Sequence, residues 1–386
     1  FIILNNLEEG LPPEAFPRIA KTLCTPHRSL GADGFMVVDQ AQGEGDFRML
    51  FFNSDGSVGE MCGNGARCIC RYGYETGLSG PIQKVETTAG LVIGERIDRR
   101  RTKELLPWME TDAVELALYM PTDCYIDSAL LCSGYARAAK RLGVDFHLHA
   151  GVKEILVQGD TVKGVRLNDG TEVEAGTVVN AAGSWANLLM RPLGIGLPFT
   201  PVRSHFWITA TDTSRFPVNH PFTVIPDARA FTRPDVGALI IGLRESVCRA
   251  FDPSAMTDAL EDFDFGHEDK WRVLDECAPL LKTYLPDIDT LGIAHYVAGP
   301  SCYVPDAMFI VGPLTAYRGL YTATGCCGAG VAAGGGIGRL LAELILDEKP
   351  FVDPSLFDPA RFGAVDPFSR DFQLRCAAAR SNKKGG

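Results

Sequence analysis

The sequence lacks the features that define membrane, nucleic-acid-binding and disulfide-rich secreted proteins. No apolar run reaches the ~20 residues that a membrane-spanning helix needs. The formal net charge of -11 argues against nucleic-acid partners, which require a basic surface. The 12 cysteines include no CxxC pair, so no zinc site is predicted. We expect a cytoplasmic protein with reduced thiols, no bound metal and a small-molecule substrate.

The chain is long enough for two or three domains, and its character changes near residue 100. Before that point, short strand-like runs such as GFMVVDQ and DFRMLFFNSDGS alternate with turns. After it come an apolar helical run, a series of strands that begins with VDFHLHA, and a section rich in proline and aromatic residues over about 198–300. A strand, a glycine-rich loop and a helix follow, and we expect residues 376–386 to form a disordered tail. The pattern predicts a mixed α/β (α+β) fold.

Cys62 precedes Gly63, Asn64 and Gly65, where a helix over 66–75 is predicted to begin. Free amides and the helix dipole at such a position favour an anion. They also lower the pKa of a thiol, since the thiolate is its charged form. A thiolate beside a carboxylate site suits proton abstraction next to that carboxylate. The alternative is a buried cysteine in a tight turn.

Residues 1–97 resemble the N-terminal half of diaminopimelate epimerase, an isomerase of lysine biosynthesis, through SLGADGFMVV, MCGNGARC and VETTAGL. The resemblance implies that Cys62 is one of two catalytic cysteines, and that Asn53, Gly63 and Asn64 contact the substrate. It also implies that this part uses no cofactor. The second half of that family is absent, and Cys327-Gly328-Ala329-Gly330 matches its second motif only in outline.

The glycine-rich loop near the C-terminus satisfies GxGxxG/A with Gly328, Gly330 and Ala333. We reject a dinucleotide-binding interpretation, because no second strand ending in a ribose-binding acid follows the helix. What remains is a helix N-terminus whose amides a negatively polarised atom can approach. A phosphate or the N1–C2=O edge of a reduced flavin fits that description, and close helix packing is the alternative.

Residues 103–365 resemble FAD-dependent oxidoreductases of the D-amino-acid-oxidase-like family. The resemblance depends on segments that occur in the family's order: YIDSALLCSGYARAAKRLGVDFHLHAGVKEI, VVNAAGSWANLL, GPSCYVPDAMFIVGP and GLYTATGCCGAGVAAGGGIGRLLAELI. The last two of these segments are most similar to the corresponding segments of sarcosine and dimethylglycine dehydrogenases. The resemblance implies a FAD-binding α/β domain, an antiparallel-sheet substrate domain and oxidation of a C–N bond to an imine.

This second resemblance assigns roles to individual residues. It implies FAD contacts from Val152, Ala182, Gly183, Trp185, Gly299, Pro300, Gly325, Gly328, Gly330 and Val331. Ser301 stands near the position where many relatives place the arginine that holds a substrate carboxylate. Tyr303, His295 and Arg244 are the candidates to replace it, with Tyr303 taken as the substrate-binding residue. Cys302 is either a flavin attachment site or a core cysteine, while Cys326 and Cys327 are interpreted as small apolar residues.

The two resemblances divide the chain into an epimerase-like half-domain (1–97), a junction (98–103), an oxidoreductase-like region (104–375) and the tail. The oxidoreductase family's own N-terminal strand, GxGxxG turn and helix do not precede residue 104. Three hypotheses remain. The first is a FAD-dependent amine oxidoreductase whose FAD site is completed unconventionally or by another chain, as an oligomer or with a complementing subunit. The second is a cofactor-independent racemase whose second base comes from a partner. The third is a non-catalytic fusion.

Overall fold

The structure is a computed structural model that describes residues 1–25, 29–32, 34–59 and 63–382, without the side chains of residues 63 and 64. Helices and strands alternate, as expected for a mixed α/β fold. The helices are α1 (Asn6–Glu9), α2 (Phe16–Cys24), α3 (Gly63–Glu75), α4 (Arg99–Leu105), α5 (Ser128–Arg141), α6 (Ala186–Met190), α7 (Lys270–Leu281), α8 (Gly330–Ile345) and α9 (Arg370–Ser381). No helix within the described ranges is long and apolar enough to cross a membrane.

The strands of the first part are β1 (Ile2–Asn5), β2 (Gly34–Asp39), β3 (Phe47–Asn53), β4 (Val58–Gly59), β5 (Ile82–Thr87), β6 (Gly90–Ile97) and β7 (Ala117–Tyr119). Those of the second are β8 (Val152–Gln158), β9 (Thr161–Leu167), β10 (Glu172–Glu174), β11 (Val178–Asn180), β12 (Thr200–Thr209), β13 (Thr223–Ile225), β14 (Ala230–Asp235), β15 (Ala238–Leu243), β16 (Ile293–Tyr303), β17 (Ile310–Pro313) and β18 (Leu320–Thr324).

The N-terminal sheet has the strand order β1-β2-β3-β5-β6-β7, and β4 pairs with β3. Side chains alternate between its two faces along β2, so the sheet builds a core on each side. Met36 and Val38 pack with Ile69 of α3, whereas Phe35 and Val37 pack against α2 on the other face. The glycine-rich start of α3 therefore lies on a helix that is anchored to a buried sheet.

The predicted junction is a structured connection. Asp98 caps α4 by accepting a hydrogen bond from the Arg101 amide, and α4 covers the junction residues. After α4, Leu106, Trp108 and Met109 are buried in the core of the large antiparallel sheet that contains β12 and β15. The chain then forms β7, which pairs antiparallel with β6 of the N-terminal sheet. The N-terminal sheet thus extends beyond residue 97. The division at residues 98–103 remains a prediction.

The large antiparallel sheet has the order β13-β14-β15-β12-β16 and forms most of the section over 198–300. Helix α7 covers one face with its buried side chains Val273, Leu274, Cys277, Ala278 and Leu281. Beneath that face, Arg203 makes a two-pronged ion pair with Glu245, at 3.0 Å from Nε to Oε1 and 2.5 Å from Nη2 to Oε2. This sheet is fully covered on the α7 side.

The central sheet has the order β11-β18-β17, with β11 and β18 parallel. Leu340 and Leu341 near the C-terminal end of α8 pack against Val311 of β17. A separate small antiparallel sheet has the order β10-β9-β8. The first half of α8 and most of α5 remain exposed, and α5 contains no buried residue.

The prediction of a strand at VDFHLHA is wrong, because residues 144–150 contain no strand. Val144, Phe146 and Leu148 of this segment are exposed. Across the ranges that the structure covers, no strand pairs with this segment or with the outer edge of β11. An alternating apolar segment needs a neighbouring strand to satisfy its backbone as a strand, and the described residues provide none here.

The disordered tail predicted for residues 376–386 is also wrong for the described part, residues 376–382. Helix α9 continues to Ser381, and Cys376 and Ala377 are buried against the cluster that contains Phe199 and Val202. The Ser369 hydroxyl caps the helix by accepting from the Phe372 amide. Small side chains allow α9 to approach β12 closely, and this packing stabilises it.

Candidate functional site

The segments predicted to contact FAD at 182–185, 299–303 and 325–331 come together. The Cys327 amide donates to the Cys302 carbonyl at 2.9 Å, and the Val304 amide contacts the Cys327 Sγ at 3.4 Å. The Ser184 Oγ lies 3.5 Å from the Cys302 Sγ. The end of β16, the turn after β11 and the loop before α8 therefore share one site.

The loop before α8 depends on backbone conformations that favour glycine. Gly325 and Gly328 have φ of 66° and 80°, and Cys327 adopts a φ of 49° between them. Ala329, at the N-cap position, supplies no side-chain cap. The first amides of an α-helix lack intrahelical acceptors, so those of Gly330 and Val331 can accept an electronegative group from a ligand.

Cys302 is held in the core of this site as a thiol. Burial raises the pKa of Cys302 to about 11, against smaller lowering effects from Ser184 and Thr324. Burial also raises the pKa of Cys326. Neither thiol is a thiolate at neutral pH, so neither is a nucleophile there. This favours the core-cysteine interpretation of Cys302.

The polar side chains near the end of β16 lie on the face of the large antiparallel sheet opposite α7. Val202 pairs with Ser301 and Thr200 with Tyr303, so alternation puts Ser301 and Tyr303 on the same face. The Ser301 hydroxyl accepts a 2.7 Å hydrogen bond from Ser204. The buried Tyr303 hydroxyl accepts one of 3.0 Å from Arg380 Nη1 of α9. The contact between Arg380 and Tyr303 was not predicted, because Arg380 lies in the segment that was expected to form a disordered tail.

The other residues predicted for this site occupy different positions. Trp185 lies after the β11 turn, and its Nε1 donates to the Thr257 carbonyl at 2.9 Å. Val152 begins β8 in the small antiparallel sheet, opposite Leu167. His295 is exposed near the start of β16, eight residues before Tyr303, opposite Ile208 of β12.

The epimerase-like site is described only in part, because Cys62 lies outside the described residues. Helix α3 begins directly after it, at Gly63, and Asn64 falls in its first turn. Asn53 ends β3 and donates from Nδ2 to the Ser57 hydroxyl at 3.0 Å. The Thr88 hydroxyl donates a hydrogen bond to the Gly59 carbonyl, so the residue after β5 lies next to the end of β4. The roles of Cys62, Asn53, Gly63 and Asn64 stay predictions.

No group of three or more His, Cys, Asp or Glu side chains in the described ranges is arranged to hold a metal ion.

Comparison with known proteins identifies the class to which these sites belong. The family model "FAD dependent oxidoreductase" matches residues 71–344, and the chain belongs to this family. The model "Diaminopimelate epimerase" matches residues 1–104, so the chain joins segments of both families.

Individual relatives agree with this division. Human mitochondrial sarcosine dehydrogenase is 31% identical over 267 residues, which is 68% of this chain and 28% of that protein. Diaminopimelate epimerase from Aquifex aeolicus is 43% identical over 95 residues, 24% of this chain and 33% of that protein. The crystal structure of L-proline dehydrogenase from P. horikoshii matches with a TM-score of 0.59 and 25% identity, covering 70% of this chain and 68% of that one. The chain spans about a third of the length of the curated relatives it matches.

Proposed function

We propose that this chain is a flavin-dependent amine oxidoreductase that binds the ring end of FAD at the start of α8 and oxidises a C–N bond to an imine. The observation that carries the proposal is the convergence of three segments matched to one flavoprotein family. The loop of α8, the turn after β11 and the end of β16 are joined by the Cys327–Cys302 hydrogen bond and the Ser184–Cys302 contact.

The residues at the start of α8 fit the pyrimidine edge of a flavin. An uncapped helix of 16 residues presents free amides there, after a loop in which Gly325 and Gly328 adopt positive φ. A partial negative charge at the flavin N1–C2=O edge is stabilised by those amides and by the helix dipole. The bound flavin supplies the hydride acceptor. Ser184 and the Cys302 thiol line the site without ionising.

The pyrophosphate end of FAD has no corresponding glycine loop in the described residues. Around this gap lie the unpaired edge of β11, the exposed segment 144–150, α5 and the exposed glycines of α8. Parallel sheets are ordinarily covered on both faces. In our proposal, a strand and helix from another polypeptide cover this region and complete the FAD site. Without them, the chain holds only the flavin ring.

Anaerobic mixing of the chain with FAD and a panel of N-methyl amines and amino acids tests the proposed reaction. Loss of the visible band of oxidised flavin with one substrate supports it. Gly330→Val, whose added side chain would press on Cys326 beside the first amides of α8, should abolish the bleaching. Gly334→Val introduces the same side chain one turn later, where an added Cβ meets nothing within 4 Å, and should retain it. Bound flavin that no amine reduces would contradict the proposal.

A second candidate function is proton exchange by the epimerase-like part. The observation that favours it is a glycine-rich helix start directly after Cys62, with Asn53 ordered by Ser57 nearby. With one cysteine base, exchange at an α-carbon needs no second half, whereas turnover between enantiomers needs a second base from a partner. Solvent deuterium entering the α-position of diaminopimelate, and its loss in Cys62→Ala, would support this function. Exchange that persists in Cys62→Ala would assign it elsewhere.

A further inference from the structure

We infer that the epimerase-like part and the oxidoreductase-like region form one cooperative folding unit, joined by residues 98–119, which we call the connecting segment. In this unit the epimerase-like part supports the large antiparallel sheet, a role that requires neither a catalytic base nor a second half. The two family matches overlap over residues 71–104, so they mark no boundary between separately folded domains. The inference is independent of the proposed flavin chemistry.

The end of the connecting segment belongs to the N-terminal sheet. Strand β7 lies beyond residue 104, where the epimerase match ends, yet it pairs with β6 and places Leu118 opposite Arg96. Leu118 packs against the core that contains Cys70 of α3. A Cβ added at Gly94 would lie 3.3 Å from Leu118 Cδ1 and 2.9 Å from Cys70 Sγ, so the glycine leaves room for this packing. A residue from outside the epimerase match therefore completes the core of the epimerase-like part.

The middle of the connecting segment belongs to the large antiparallel sheet. Trp108 and Met109 are 6% and 4% exposed, and they pack in the cluster that contains Leu281 of α7. The Glu110 amide donates a 2.8 Å hydrogen bond to the Tyr284 carbonyl, shortly after the end of α7. These contacts make the connecting segment part of the hydrophobic core beneath α7.

The path between these two anchor points is short and held by hydrogen bonds. It consists of residues 111–117, and Arg99 of α4 donates from Nε to the Val114 carbonyl at 2.9 Å. Lys103 of α4 donates from Nζ to the Met109 carbonyl at 2.6 Å. Independent domains are usually separated by an exposed linker that few contacts cross. Because the connecting segment contributes side chains to both cores, opening one core should disturb the other.

Two buried cysteines, one in each core, allow a direct test. Cys70 is 1% exposed in the N-terminal core, and Cys277 is 5% exposed beneath α7. Burial raises the pKa of Cys70 to about 11 and that of Cys277 to about 12, so each thiol reacts only when its core opens. Pulsed alkylation of the full chain, read by peptide mass spectrometry and scaled to the rates in high urea, measures both opening equilibria. We expect the two opening constants to agree within about threefold.

Two variants disturb the unit from opposite ends. Leu118→Ala removes a contact in the N-terminal core, and we expect it to accelerate the labelling of Cys70 and Cys277 by the same factor, at least about fivefold. Trp108→Ala opens a cavity in the core beneath α7 and should accelerate both by at least about tenfold. Leu116→Ala is the matched control, because Leu116 is 38% exposed in the same segment, and it should leave both rates within about twofold of the parent.

The pattern of labelling decides the inference. Acceleration of only the nearer thiol in either variant, Cys70 for Leu118→Ala or Cys277 for Trp108→Ala, would overturn it. Unchanged labelling of both thiols in both variants would also overturn it, because the connecting segment would then stabilise neither core. If Trp108→Ala does not fold, Leu118→Ala alone decides, since it acts on the large sheet only through the connecting segment.

Discussion

The large antiparallel sheet and the central sheet lie within the same family segment, yet the helices beside them are buried to different extents. Helix α7 buries five residues against the large sheet, whereas α5, which lies beside α8, buries none. Leu281 of α7 is fully buried, and Leu130 of α5 is 67% exposed. The contrast separates a sheet that is covered by its own helix from a region where helix α5 and the first half of α8 remain exposed.

The largest effect on stability is expected at the buried ion pair under the large antiparallel sheet. Glu245→Gln leaves the Arg203 guanidinium, which is fully buried, with Asp269 at 3.5 Å from Nη1 as its remaining carboxylate partner. We expect a loss of about 3–5 kcal/mol in the free energy of unfolding, measured by chemical denaturation. Asp160→Asn breaks the exposed pair with Arg318 near the small antiparallel sheet and should change nothing measurable. Equal effects of the two substitutions would show that the large sheet is no better ordered.

Truncating one leucine on each helix compares the two regions directly. Leu281→Ala should lower the free energy of unfolding by about 2–5 kcal/mol, because it opens a cavity in the core. Leu130→Ala should stay within about 0.5 kcal/mol, since Leu130 is exposed. Urea denaturation of both variants measures the difference. A large loss from Leu130→Ala alone would mean that α5 is covered in solution by this chain or a second copy.

Acidification should weaken the large sheet through His205. Burial, with repulsion from Arg203 and Arg380, lowers the pKa of His205 from 6.5 to about 3. Below pH 6.5 the unfolded chain takes up a proton that the folded chain does not, so stability is present above pH 6.5 and falls as the pH drops towards 3. The slope is up to ~1.4 kcal/mol per pH unit.

Between pH 6.5 and 5, before most carboxylates titrate, His205→Gln should flatten this slope, as measured by thermal unfolding. His147→Gln changes an exposed histidine and should leave the slope as it is. A parent protein whose stability does not change over this range would contradict the assignment.

The smallest effect is expected on the exposed glycines of α8. Gly334→Ala should stabilise the chain by ~0.5–1 kcal/mol, because alanine favours a helix and an added Cβ meets nothing within 4 Å. Gly335→Ala should gain less, since its Cβ would lie 3.0 Å from the Tyr135 hydroxyl. Thermal unfolding measures both. A destabilising Gly334→Ala would indicate that something packs closely on this face.

Sequence patterns predicted the elements that have strong local signals. The helix after Cys62, the strand and glycine loop before α8, and the alternating strands of the N-terminal sheet are present. Helix α9 was missed because alanines followed by a polar end resemble a disordered tail. Its signals were Ser369 at the N-cap and Asp371 in the first turn.

The residues missed at the candidate site have no local signal. Arg380 reaches Tyr303 across 77 positions of the chain, and only the packing of α9 on the large sheet brings them together. The failed strand at residues 144–150 shows the converse. Its alternating pattern predicts a strand, but no strand of the described residues pairs with it.

Titration of the chain with FAD and with riboflavin, followed by quenching of flavin fluorescence, tests the central claim most directly. Because only contacts to the flavin ring are expected here, we predict that FAD and riboflavin both bind, with dissociation constants within about tenfold of each other. Gly330→Val should weaken both. If neither flavin binds, or if binding is unaffected by Gly330→Val, the start of α8 does not hold a flavin and the proposed function is wrong.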